Sequence, residues 1–151
     1  MQVVVKPDFL RGELEGQPAH AYNESAFRYF LSIERKRSER SGRPFALLLV
    51  ARKAAEGRPA FIDPGVATKL FSGLSLCLRE TDFAGWYKQG AVAGAVLTHL
   101  GDSSGVDVTH HVRRRISHVG FAGLLPDFAE RFVLSIYQLP AQEHELGENR
   151  S

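Results

Sequence analysis

Arg79-Glu80-Thr81-Asp82 sets a guanidinium and a carboxylate three residues apart. An arginine is a rigid fork of donors that can bond the O6 and N7 edge of a guanine, or clamp a phosphate. A carboxylate at this spacing can accept from the guanine N1 and N2 donors, and such a pair needs no metal. The same residues have a plain structural reading. Arg79 closes a predicted helix, where the negative end of the helix dipole favours a cation. Asp82 can pair with it at i,i+3 or cap a turn. Spacing alone leaves both readings open.

Other reactive side chains offer less. His110, His111 and His118 lack an acidic or cysteine partner at ligand spacing, and adjacent helical residues point about 100° apart, so surface or partly buried histidines are expected rather than a metal site. Ser135 has no nucleophile-elbow context. Cys77 is the single cysteine, which excludes an internal disulfide, and its apolar neighbours predict a small buried hydrophobe. The basic run from Arg35 to Arg43 includes Glu39 and reads as a solvated helix face.

These groups must be positioned by a short series of elements. Asn23 is a natural N-cap, Glu24 suits the first turn, and Phe27, Phe30 and Leu31 recur at helical spacing until Ser41-Gly42 and Pro44 stop the helix. Phe45–Val50 is a continuous apolar run and predicts a central strand buried on both faces. Val66, Leu70, Leu74 and Leu78 mark an amphipathic helix from Gly65 to Leu78. Phe83–Tyr87 and Ala91–Thr98 flank Lys88-Gln89-Gly90, a hairpin turn in which Gly90 is free to take positive φ. Trp86 and Tyr87 should face opposite sides of that hairpin. The small side chains of Gly90–Val96 suit either close backbone approach by a partner or packing under bulky helices. Val108, Val112, Ile116 and Val119 predict a further helix, with Arg113, Arg114 and Arg115 largely off its apolar face. Arg131–Leu139 alternates and predicts a last strand. The order predicts an α+β fold, a four-stranded antiparallel sheet with helices packed on one face.

Composition sets the outer bounds. A chain of 151 residues with 44% hydrophobic content forms one domain. A formal net charge of +2 is too mild to point to nucleic acid. No stretch approaches membrane-spanning length and the N-terminus lacks a signal-peptide pattern, so no membrane insertion and a cytoplasmic location are expected. The expected division is an N-terminal extension at 1–21, where Gln2–Val5 could form a strand or an intermolecular contact, a domain at 22–139, and a polar tail at 140–151 carrying Glu143, Glu145 and Glu148.

Over roughly residues 23 to 139 the chain resembles a degenerate member of the diguanylate cyclase (GGDEF) family. Asn23-Glu24-Ser25-Ala26-Phe27 is similar to the family's Asn-Arg-Arg-x-Phe opening. Arg37–Leu47 is similar to its helix end and first strand. Arg79-Glu80-Thr81-Asp82 matches the Arg-x-x-Asp that lies five residues before the signature turn, and Tyr87 keeps the aromatic before that turn. Phe132–Ile136 resembles the late strand. The resemblance implies a ferredoxin-like nucleotide-cyclase palm, truncated at its C-terminal end by a helix and a final strand.

The departures from the family pattern carry the functional expectation. Ala51 stands where the family has a metal-binding Asp, followed by Arg52 and Lys53. Gly90 and Ala91 replace the acidic residues of the turn, which here reads Lys88-Gln89-Gly90-Ala91-Val92. The guanine-reading Asn/Asp pair and the Gly-His…Gly-Asp stretch are missing between Lys53 and Lys69, and neither Asp63 nor Asp82 matches a catalytic position. Two-metal nucleotidyl transfer needs hard oxygen ligands, which these residues do not supply. The sequence therefore predicts a protein that is not an enzyme and holds neither metal nor cofactor. What the resemblance retains is the family's inhibitory product site, with Arg79 and Asp82 on the guanine of cyclic di-GMP and one of Arg113, Arg114 and Arg115 on its phosphates. Under that reading the chain is a cyclic di-GMP receptor whose output is a changed protein contact, such as a homodimer cross-linked by intercalated ligand, in exopolysaccharide or biofilm control. The alternative is a ligand-free dimerisation or docking module for an unknown protein partner.

Overall fold

The computed structural model describes residues 21–53, 60–98, 110, 113–114 and 127–139. A two-residue strand β1 (Ala21–Tyr22) leads directly into α1 (Glu24–Ser41). Asn23 joins them as the N-cap: its Oδ1 accepts from the Ala26 N–H at 2.9 Å, satisfying one of the donors a helix start leaves open. At the other end Gly42 adopts φ 76° and donates its N–H to the Ser38 carbonyl, the left-handed stop that the sequence leads one to expect. β2 (Phe45–Arg52), α2 (Pro64–Cys77), the hairpin β3 (Phe83–Lys88) and β4 (Val92–Leu97), a single turn α3 (Phe128–Arg131) and β5 (Phe132–Leu139) follow.

The strands form one sheet in the order β1-β3-β4-β2-β5. As expected, β2 lies between the hairpin and the last strand, antiparallel to β4 and to β5. Two expectations are corrected. The sheet has five described strands and is mixed, because β1 pairs parallel to β3, with Tyr22 opposite Gly85. Two residues are too few to show alternation, so β1 leaves no sequence signal. Only its partner betrays it: a Cβ on Gly85 would lie 2.6 Å from the Tyr22 carbonyl oxygen, so glycine is what admits the approach.

The helices also do not share a face. Ala46, Leu48 and Val50 of β2 pack with Leu70, Phe71, Leu74 and Cys77 of α2, whereas Phe45 and Leu47 pack with Phe27 and Leu31 of α1. A strand apolar at every position needs cover on both sides, and α1 and α2 supply it. Burying side chains such as Phe27 and Phe71 stabilises the fold by about 1.5–3 kcal/mol each. The small-sided β4 serves this packing: a Cβ on Gly94 would fall 2.8 Å from the Phe27 ring.

Trp86 and Tyr87 do face opposite sides. Trp86 is buried edge-on to Phe71 on the α2 side (centroids 5.1 Å), and Tyr87 is half-buried on the α1 side. Cys77 is buried, as expected. Of the predicted Val108–Val119 helix, only His110, Arg113 and Arg114 are described. All three are helical and exposed. Gln2–Val5 and the acidic tail lie outside the described residues.

Candidate functional site

The Arg79–Asp82 segment is a tight turn linking the end of α2 to β3. The Asp82 N–H donates to the Arg79 carbonyl at 3.0 Å, and Asp82 Oδ2 accepts the Arg79 N–H at 2.8 Å. Asp82 Oδ1 accepts the Thr98 N–H at 2.8 Å, with the Thr98 hydroxyl at 3.1 Å. That hydroxyl is also 2.8 Å from the Thr81 hydroxyl. Asp82 therefore caps its own turn and staples it to the residue after β4. Of its two oxygens, Oδ2 keeps one lone pair for a further donor.

The turn opens onto a shallow groove of about 550 Å³. The groove is bordered by Tyr22 of β1, Ser75 and Leu78 at the end of α2, Arg79, Glu80 and Asp82 of the turn, and Phe83 and Ala84 of β3. Its size falls within the span of small-molecule clefts, roughly 300–1,000 Å³. One guanidinium, two carboxylates and two aromatic rings suit a flat heterocycle carrying both donors and acceptors. Arg79 is exposed and Asp82 half-buried. The structure thus brings these two predicted residues to one groove. Arg113 and Arg114 are exposed on a helical stretch, and Arg115 lies outside the described residues.

The other predicted positions gather at the opposite end of the hairpin. Ala51 is half-buried near the end of β2 and pairs with Val92 on one side and Val133 on the other, so the β2 terminus and the hairpin tip are neighbours. Gly90 takes φ 77°, and the Ala91 N–H closes the turn on the Lys88 carbonyl at 2.9 Å. Lys53 is exposed, its N–H bonded to the Arg131 carbonyl.

Sequence reasoning missed how this tip is held. The Gln89 N–H donates to Glu24 Oε1 at 2.7 Å, while the Glu24 N–H donates to Gln89 Oε1 at 3.0 Å. Arg28 Nε donates to the Tyr87 carbonyl at 2.8 Å, its guanidinium lies 4.1 Å from the Tyr87 ring centroid, and Nε is 3.4 Å from Glu24 Oε2. On the α2 side the Ile62 N–H reaches the Gly90 carbonyl at 2.8 Å, and Arg52 bonds the Phe61 carbonyl at 3.3 Å. Glu24 signalled only a first helical turn, because a partner 65 residues away leaves no local pattern. Among the described residues no three His, Cys, Asp or Glu side chains converge as metal ligands.

No family model matches the chain, and no curated protein matches it. Solved structures do. A DGC protein from Thermotoga maritima superposes with a TM-score of 0.55 at 15% identity, covering 85% of this chain and 88% of the other. A sensory box/GGDEF family protein from Caulobacter crescentus gives 0.56 at 16% identity, covering 85% and 84%. The GGDEF domain of DgcB from Caulobacter crescentus, in complex with c-di-GMP, gives 0.54 at 15% identity, covering 98% and 86%. The chain has the α+β fold of GGDEF domains, a nucleotide-cyclase-like fold.

These similarities correct one expectation. The Ala51, Gly90 and Ala91 positions predict a protein that is not an enzyme, whereas the structures sharing its fold are diguanylate cyclase domains, which are enzymes. The fold is thus one that carries enzymatic activity in those proteins. Among the described residues, no helix is long and apolar enough to cross a membrane.

Proposed function

We propose that this chain is a cytoplasmic GGDEF-like signalling domain that binds cyclic di-GMP at the Arg79–Asp82 groove. The observation that carries this reading is the placement of an exposed Arg79 at the edge of a groove, at the start of β3, in a GGDEF-like fold. A GGDEF domain of the same fold was solved with c-di-GMP, which makes that ligand the first to try. Arg79 would donate its fork to the guanine O6 and N7 edge, and the remaining lone pair of Asp82 Oδ2 would accept from N1 or N2. An arginine of the 113–115 run would reach a phosphate. The output would be a changed contact with a protein partner or a second copy, in exopolysaccharide or biofilm control.

One observation favours a second reading, a ligand-free interaction module. Both Asp82 oxygens already accept from backbone N–H groups, which gives the Arg-x-x-Asp pattern a structural reason. Thermal unfolding separates the two. A ligand that binds only the folded state raises the melting temperature, and the stabilisation grows with the logarithm of its concentration over Kd. Cyclic di-GMP should raise it and cyclic di-AMP should not, because adenine lacks the O6 acceptor. No shift with cyclic di-GMP at high concentration would favour the interaction module.

A further inference from the structure

We infer that Tyr22 is a ligand-binding residue of the groove and supplies the face on which a purine ring stacks. The inference rests on the nucleotide-binding reading above. Three features place that ring. Parallel pairing sets Tyr22 opposite Gly85, and the missing Cβ of Gly85 lets the Tyr22 backbone close onto β3. Asn23 then caps α1, so the residue before it has little freedom to swing. The ring is held by Phe30 at 5.1 Å between centroids, and by Phe83 edge-on at 6.2 Å. Phe83 is itself fixed edge-on by Phe27 at 5.6 Å and by Phe30 at 6.0 Å.

Tyr22 is half-buried and borders the groove together with Arg79. The two groups suit different parts of one base. A guanidinium reads a purine in its plane, along the hydrogen-bonding edge. An aromatic ring covers the apolar face, and a ring already immobilised by its neighbours loses little freedom when the ligand arrives. Removing such a platform weakens binding by roughly tenfold.

The test is titration of cyclic di-GMP into the wild-type chain and into Tyr22→Leu, Tyr22→Phe and Arg79→Ala, with 13C-labelled tyrosine followed by NMR. Stacking predicts that Tyr22→Leu weakens binding roughly tenfold or more, that Tyr22→Phe stays within about twofold, and that the Tyr22 ring protons move upfield at saturation. Wild-type binding that is lost in Arg79→Ala but unchanged in Tyr22→Leu would overturn this inference and leave the nucleotide reading standing. If Tyr22→Leu does not fold, the ring shift decides: saturating ligand with an unmoved Tyr22 resonance overturns the inference. Absence of binding by the wild type overturns both.

Discussion

The two ends of β3 are built differently. At the end toward Gly90 the chain is tied down from both sides, by Glu24 and Arg28 of α1 and by the Phe61–Ile62 segment before α2. At the other end, the Arg79–Asp82 turn is fixed from below by Asp82 and Thr98, while Arg79, Glu80 and Tyr22 border a groove. The hairpin tip directs its polar groups at its own chain. The turn before β3 places the exposed Arg79 and Glu80 at the groove. Within Arg-x-x-Asp, the Asp82 carboxylate holds the turn and the exposed Arg79 side chain lies at the groove edge.

That division can be broken residue by residue. Arg79→Ala should have the largest effect on ligand, a loss of cyclic di-GMP binding by calorimetry in a variant that still folds. Asp82→Ala should act mainly through stability. It leaves the Arg79 and Thr98 N–H groups without their acceptor and should cost about 1–3 kcal/mol, read from urea denaturation. Gly85→Ala should cost about the same, about 1–3 kcal/mol, by forcing β1 off β3, and hydrogen exchange at Ala21 and Tyr22 should rise with it. Glu24→Ala is the mildest. Its pair with Arg28 is more than a third exposed on both sides and salt-screened, so the loss should stay below about 1 kcal/mol. The Gln89 amide should nonetheless exchange faster, because Glu24 is its acceptor.

What the sequence made legible was whatever local chemistry writes into neighbouring residues. Asn23 and Gly42 bound α1 because a cap and a left-handed stop each need one residue type. Phe45–Val50 declared a central strand because every position is apolar, and that same feature already required cover on both faces. Gly90 marked the turn through its positive φ. β1 was invisible, since Ala21 and Tyr22 carry no period and their pairing depends on a glycine more than sixty residues away. The site was half legible. The spacing of Arg79 and Asp82 drew attention to them, but only the positions of Thr98 and Tyr22, both brought in by the sheet, show which groups face the protein and which face the groove.

The most direct test of the central claim is calorimetric titration of cyclic di-GMP into the wild-type chain and into Arg79→Ala. The predicted result is saturable binding at micromolar affinity or tighter that disappears in the variant while the variant still unfolds cooperatively. No heat with the wild type, or equal binding by both proteins, would contradict the claim and leave the Arg79–Asp82 turn as a structural joint between α2 and β3.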